Sequence, residues 1–262
     1  MSEGEALAQS RLVDVRPVPA TRPLHWLALG WRDLVCGPGA ALLHGVLLAA
    51  FGLALLAIAH DRFWLLAGAF SGFLLVAPVL ATGLYAISRT LESGARASLA
   101  TAFDAWRPRD GRLVAFGLLL ALAGTGWVLT SAALITSFAA EPVRNPADFM
   151  RIVVLHEHSA LFPTWLALGG VLAAPMFASS VIAIPLLLDR RIGVLAAVLT
   201  SWRAVLANPL PLALWALLIM LLTLAGMAAL MLGLVVVVPW LGHASWHAYR
   251  DLVDARHLPA AD

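Results

Sequence analysis

Three side chains near the end of the sequence have a spacing that could bind a metal ion or a cofactor. His243, His247 and Arg250 would share one face of a helix, because residues three and four apart lie one above the other. The two histidines could hold one metal ion such as copper, although Ala244 replaces the glutamate of the His-Glu-x-x-His motif. A haem needs an axial ligand on each face of its iron. It would therefore pair His243 with a histidine from another helix, and His44 is the candidate.

The same segment has a second interpretation, as the anchor of a helix end at the membrane surface. Trp240, Trp246, Tyr249 and Arg250 flank the two histidines. Amphipathic aromatic side chains concentrate where a membrane meets water. We favour this interpretation, and we therefore expect no cofactor at the histidines.

Chemistry elsewhere in the chain has weaker support. His156, Glu157 and His158 could contribute metal ligands if their segment is extended, but a solvated loop is the favoured interpretation. The single cysteine, Cys36, excludes an internal disulfide and a thiolate cluster. The sequence contains no nucleophile elbow, phosphate-binding glycine loop or pair of catalytic carboxylates, so we predict that the protein is not an enzyme.

The composition is that of a membrane protein. Of the 262 residues, 61% are hydrophobic and only 12% are charged, whereas a soluble domain has about 25% charged residues. This balance excludes a soluble enzyme and a disordered chain. The net charge of +2 is too small to indicate nucleic-acid binding. The lipid bilayer is therefore the first expected partner.

Charge-free intervals divide the chain into membrane passes, since a pass needs roughly 20 apolar residues. Four intervals fit one helix each: residues 34–60, 63–88, 113–140 and 158–188. A fifth, residues 204–249, is too long for one helix and fits two passes with a tight turn near Gly226. The passes carry essentially no ionisable side chain apart from His44, which disfavours an ion-coupled transporter.

All 17 basic residues are arginines, and their distribution predicts the topology. Cytoplasmic loops accumulate arginine, and six passes with both termini in the cytoplasm place the most arginines inside. We predict an all-α bundle of six transmembrane helices in the bacterial inner membrane, with five passes as the alternative. It comprises a cytoplasmic, irregular N-terminal segment (1–33), a transmembrane domain (34–250) and a cytoplasmic tail (251–262).

The two predicted inner loops resemble each other. Both have apolar residues at helical spacing, which predicts a short amphipathic helix on the membrane surface over 99–106 and over 195–202. Four residues of the first loop match the second at a constant offset of 99, which suggests a repeat of two three-helix halves. The matched pairs are Gly94 and Gly193, Thr101 and Thr200, Phe103 and Trp202, and Ala105 and Ala204.

Several segments resemble an uncharacterised family of bacterial integral membrane proteins, domain of unknown function 2189. They are Gly72-Phe73-Leu74-Leu75-Val76-Ala77-Pro78, Tyr85-Ala86-Ile87-Ser88-Arg89 with Glu92 and Gly94, Pro185-Leu186-Leu187-Leu188-Asp189-Arg190 and Gly242-His243-Ala244-Ser245-Trp246-His247-Ala248-Tyr249-Arg250. Some family members carry a cytochrome c oxidase label. The chain lacks the length and the histidine motif of an oxidase catalytic subunit, so this link would imply an accessory or assembly partner.

We therefore expect a non-catalytic accessory or assembly protein that associates with other membrane proteins, with a respiratory oxidase as a candidate partner. The first alternative is a small-solute permease or exporter, which the repeat and Pro78, Pro175 and Pro185 suggest because transporters contain broken helices. The second is a haem- or metal-binding membrane protein that uses the three histidines.

Overall fold

The computed structural model describes residues 3–59, 81–106, 111–156 and 160–261, which form a bundle of helices with two very short strands. In chain order the elements are α1 (Glu3–Arg11), β1 (Asp14–Val15), α2 (Arg22–Cys36), α3 (Pro38–Ala59), α4 (residues 81–92), α5 (Leu99–Trp106), α6 (Arg112–Phe138), α7 (Pro146–Asp148), a π-helix (Phe149–Val154), α8 (Leu161–Ser180), α9 (Ala183–Asp189), α10 (Val194–Ala207), α11 (Pro209–Ala228), α12 (Leu234–Leu252) and β2 (Val253–Asp254).

The predicted helical membrane bundle is confirmed. Four described helical stretches are long and apolar enough to cross a membrane, and each lies in a predicted charge-free interval or extends one residue beyond it. They are Pro38–Leu55, Arg112–Phe138, Leu161–Asp189 and Pro209–Ala228. The second predicted pass lies mostly outside the described residues.

The long fifth interval divides into two helices near the predicted turn, and of these two helices α11 is among the four candidate spans while α12 is not. Helix α11 ends at Ala228 and α12 begins at Leu234. The helices approach closely at two glycines, since a Cβ on Gly233 would lie 2.7 Å from the Cα of Gly226. The turn between them contains two non-glycine residues with positive φ, Leu230 and Met231. The sequence thus located this turn to within a few residues.

The prediction of an irregular N-terminal segment is wrong, because α1 and α2 occupy most of it. Its prolines had suggested an irregular chain. Pro23, however, lies in the first turn of α2, where a missing backbone N–H costs nothing. Helix α2 then buries one face along its length, from Trp26 and Leu27 through Gly30 to Asp33 and Leu34.

The N-terminal and C-terminal segments fold together. Strand β1 pairs antiparallel with β2, and Ala260 bridges to Arg190. Helix α1 packs on α10, where the guanidinium of Arg203 donates to the carbonyl oxygens of Ser10 and Val13. We call residues 3–21, α10 and residues 253–261 the terminal cap.

Both predicted loop helices are present, as α5 and α10. Helix α10 turns small and polar residues toward the protein, including Ala196, Thr200 and Ala204, and it exposes Trp202 and Leu206. Apolar residues on the outer face are what a helix at the membrane surface needs. The repeat of two three-helix halves stays a prediction, because one half includes residues that the structure does not describe.

The outer loop has more structure than its prolines suggest. The side chain of Asn145 accepts a hydrogen bond from the backbone N–H of Asp148 and caps α7. The π-helix that follows buries Val153 against Ile135 and Leu161. The loop therefore packs onto the adjoining ends of α6 and α8.

Candidate functional site

A buried group of polar side chains lies where α2, α3, α4 and α12 meet. It consists of Asp33 on α2, His44 on α3, Ser88 on α4, and His243 and His247 one turn apart on α12. We call these five residues the polar cluster. His243 and Ser88 are fully buried, and His44 and Asp33 are nearly so. The structure thus brings together the three histidines that the sequence singled out.

Hydrogen bonds link four members of the polar cluster into a chain. The hydroxyl of Ser88 donates to Oδ2 of Asp33 at 2.7 Å, and its oxygen lies 2.8 Å from Nδ1 of His243. Nε2 of His247 is 2.8 Å from the same Asp33 oxygen. The imidazole of His44 bonds separately, through Nδ1 to the carbonyl oxygen of Ala40 at 2.7 Å.

Charge and burial oppose each other at Asp33. Burial alone would raise the pKa of this carboxyl, because it disfavours the charged form. Hydrogen bonds from His247 and Ser88 and the nearby histidines outweigh burial and hold the pKa below its ordinary value of 3.8. Asp33 is therefore a carboxylate at neutral pH.

Glycines let the helices around the polar cluster approach to backbone contact. A Cβ on Gly45 of α3 would lie 2.1 Å from the carbonyl oxygen of Val235, and one on Gly30 of α2 would lie 2.6 Å from the nitrogen of Ala244. On α12, a Cβ at Gly242 would lie 2.4 Å from a methyl of Leu84. Because such distances exclude any side chain, the packing around His243 requires glycine.

The predicted membrane anchors of α12 have partners within the protein. Tyr249 donates its hydroxyl hydrogen to Oδ2 of Asp189 at 2.8 Å. Trp246 and Arg250 both donate to the carboxylate of Glu92 at 3.2 Å. Trp246 and Tyr249 are buried.

Trp240, the fourth predicted anchor, donates through Nε1 to the carbonyl oxygen of Leu27 at 2.7 Å. This bond ties the middle of α12 to α2. The role of the four residues at a membrane surface stays a prediction, but their polar atoms serve contacts between helices.

A further carboxylate connects the end of α12 to the start of α2. Asp251 accepts hydrogen bonds from the guanidinium of Arg22 and from Nε1 of Trp26. Burial opposes the charge on Asp251, but these bonds lower its pKa below the ordinary value. The two ends of the α2–α12 contact thus each contain an ionised aspartate.

The structure adds limited information about cofactors. Among the described residues, no group of three or more His, Cys, Asp or Glu side chains could hold a metal ion. In the outer loop His156 is described, while Glu157 and His158 lie outside the described residues. A haem at His44 and His243, and a metal ion at His243 and His247, stay predictions.

Sequence reasoning missed Asp33 and Ser88. In the sequence Asp33 is the charged residue directly before the first charge-free interval. No sequence pattern distinguishes the hydroxyl of Ser88 from other serines. A signal for Asp33 does exist, because it falls seven residues after Trp26 and six after Leu27, on the apolar face of α2. A charged residue at a core position of an amphipathic helix indicates a buried polar contact.

Comparison with known proteins finds one family model that matches part of the chain. The model of a family described as "Predicted integral membrane protein (DUF2189)" matches residues 65–189. The resemblance is therefore confirmed over this segment, which contains the first two quoted motifs and most of the third, while the run at 242–250 lies beyond it. No curated protein and no solved structure matches the chain.

Proposed function

We propose that this protein is a non-catalytic accessory or assembly protein of the bacterial inner membrane. It acts by associating with other membrane proteins, and a respiratory oxidase is a candidate partner. The observation that carries the proposal is the low burial of its spans. Of the span Arg112–Phe138 only 17% is buried within the described protein, and the most buried candidate span reaches 33%.

Helix α6 offers a surface suited to another helix. Five small residues at alternating spacings of three and four form an exposed stripe, which we call the small-residue seam. They are Ala123, Gly126, Thr130, Ala133 and Ser137. Nothing in the described protein lies within 4 Å of a Cβ built on Gly126. In membranes such seams favour helix association, because small side chains allow close backbone packing.

The topology that we propose has six passes with both termini in the cytoplasm. The pairing of β1 with β2 supports it, because paired segments lie on the same side of a membrane and an even number of passes is then required. The arginine-rich loops favour the cytoplasm as that side. Accessibility of the single cysteine, Cys36, and of a cysteine placed at Ser159 in a Cys36→Ser background tests this. Labelling of both from the same side would contradict six passes.

Site-specific photocrosslinking tests the accessory role. A benzophenone amino acid at Thr130 lies in the small-residue seam, and one at Leu118 of the same helix is the control. We expect Thr130 to give an adduct with another protein in native membranes, and Leu118 to give lipid adducts. Mass spectrometry of the adducts distinguishes a partner protein from residues 60–80 of this chain, which the structure does not describe. Crosslinks confined to lipid or to this chain would contradict the proposal.

Co-purification tests the same surface without a probe. Gly126→Leu fills the small-residue seam, and Leu118→Phe enlarges an already large exposed side chain of α6 as the matched control. We expect Gly126→Leu to lower the yield of co-purified protein severalfold after mild solubilisation and Leu118→Phe to leave it unchanged. A wild-type protein that emerges alone from native membranes would count against the accessory role.

A small-solute permease or exporter is the second candidate. The buried ionisable chain of the polar cluster favours it, since ionisable groups inside a helical bundle mark ion and proton pathways. Uptake assays in proteoliposomes under an imposed pH gradient test this function. Transport that requires Asp33 would replace the accessory role as the leading function.

A further inference from the structure

We propose that His243 is a proton-binding residue whose proton is relayed through Ser88 to Asp33. The inference rests on the geometry of the polar cluster and does not depend on the accessory role. The ligand is a proton, and the atom that receives it is Nε2 of His243.

The hydrogen bonds determine which nitrogen of His243 carries hydrogen. A serine hydroxyl has one hydrogen, and Ser88 donates it to Asp33. The 2.8 Å contact between Ser88 Oγ and His243 Nδ1 must therefore use a hydrogen from the imidazole. His243 is thus protonated on Nδ1, and Nε2 carries the lone pair.

The lone pair of Nε2 is buried without a hydrogen-bond partner among the described residues. The ring itself is fully buried. A buried acceptor without a donor is costly, so a hydrogen-bond donor gains free energy by binding to this nitrogen. Burial opposes the positive charge that a proton brings to the ring, and the Asp33 carboxylate, reached through Ser88, offsets part of that cost because it stabilises positive charge on the ring.

The relay moves one proton with no other reactant. An incoming proton forms a bond to Nε2, and His243 is then positively charged. The Nδ1–H bond breaks as its proton passes to Ser88 Oγ, and Ser88 releases its own proton to Oδ2 of Asp33. His243 ends neutral with hydrogen on Nε2, and Asp33 ends as a carboxylic acid.

The surroundings give the relay a direction. The titratable groups that face His243 among the described residues are Asp33 from α2, His44 from α3 and His247 from its own helix; α4 contributes the hydroxyl of Ser88. His247 contacts the same Asp33 oxygen and its side chain is 16% exposed. It therefore connects the Asp33 end of the chain to water.

Nitrogen-15 NMR of histidine-labelled protein in lipid nanodiscs tests the first step. At neutral pH we expect His243, assigned by its loss in His243→Gln, to carry hydrogen on Nδ1. Ser88→Ala should weaken the hydrogen-bond shift of Nδ1, because the Ser88 acceptor is lost while the backbone of Leu84 remains an acceptor for His243. Thr90→Ala is the matched control, because its hydroxyl bonds only to its own helix at Ala86. Hydrogen on Nε2 in the wild type, or a Ser88→Ala spectrum like that of Thr90→Ala, would overturn the proposal.

Acid titration tests the relay itself. Infrared spectroscopy detects the protonated carboxyl of Asp33, assigned by its loss in Asp33→Asn. We expect this band to appear at the same pH at which the hydrogen of His243 moves from Nδ1 to Nε2. In Ser88→Ala the two midpoints should separate by about one pH unit or more, since coupled groups titrate together only while they interact. Separate midpoints in the wild type would show that no relay exists.

Discussion

Helices α12 and α6 differ in how many of their residues are buried and in what their side chains bond to. Nine of the 19 residues of α12 are buried, and its side chains make hydrogen bonds to α2, α4 and α9. Only four of the 27 residues of α6 are buried, and its threonines bond to its own backbone. We infer that α12 is stabilised by the protein itself, whereas α6 depends on what surrounds it. Variants that distinguish the two helices test this difference.

The largest difference is expected between two glycine-to-alanine substitutions. Gly45→Ala would place a methyl group 2.1 Å from the backbone of α12 and force α3 away. We expect a loss of about 3 kcal/mol in the free energy of unfolding. Gly126→Ala on α6 meets nothing within 4 Å, so it should stabilise its helix by about 0.5–1 kcal/mol. Thermal unfolding in detergent measures both, and equal effects would remove the distinction between the helices.

Removing the Asp33 carboxylate should have the next largest effect. Asp33→Ala leaves Ser88 and His247 without their shared acceptor inside the protein. We expect a loss of about 1–3 kcal/mol for the unpaired buried groups. Asp14→Ala in β1, an exposed position, is the control and should change stability little. The same unfolding assay applies, and a neutral Asp33→Ala would show that the polar cluster does not stabilise the α2–α12 contact.

The contribution of Asp33 should also depend on pH. Its pKa is lower in the folded protein than its ordinary value of 3.8, so folding favours the ionised form. This stabilisation is complete above the ordinary pKa and is lost as the pH falls through the folded pKa. The difference in Tm between wild type and Asp33→Asn should therefore be constant near neutral pH and shrink below about pH 4. A difference that grows on acidification would contradict this assignment.

A smaller effect is expected at the exposed end of the α2–α12 contact. Arg22→Ala removes a partner of Asp251, but Trp26 still donates to that carboxylate. Because the Arg22 side chain is 39% exposed, solvent screens the ion pair. We expect a loss of about 0.5–1 kcal/mol. Arg256→Ala is the comparison and should cause a smaller change in Tm, because the Arg256 side chain, which pairs with Asp254, is 69% exposed.

We expect no haem or copper signal in the visible spectrum of the purified protein. Helices α2, α3 and α12 meet at backbone distance beside His243, and a haem between them would have to separate them. We therefore expect no Soret absorbance and no stoichiometric copper in protein purified in mild detergent. A reduced-minus-oxidised difference spectrum that is lost in His243→Ala would contradict this and would make the histidines a cofactor site.

The apolar elements could be predicted from the sequence, because their signals are local. Charge-free length located the spans, the interval 204–249 was correctly divided near Gly226, and helical spacing predicted α5 and α10. The family resemblance was correct over residues 65–189. These features depend on the hydrophobic periodicity of single segments.

The polar cluster could be predicted only in part. The histidines stand out by residue type, and the need of a haem for a ligand from a second helix pairs His44 with His243. Asp33 and Ser88 lie 55 residues apart in sequence and join only through packing. The helical N-terminal segment was missed for a related reason, since α2 is stabilised mainly by its contact with α12 and not by its own propensity.

The pairing of β1 with β2 has a consequence for biosynthesis. Residues 14 and 15 are synthesised more than 230 residues before their partners, residues 253 and 254. The terminal cap therefore closes only after residue 254 has been synthesised and α12 has reached its place. Such a contact of high sequence separation forms late in folding. A closed terminal cap therefore requires that the whole intervening chain has been synthesised.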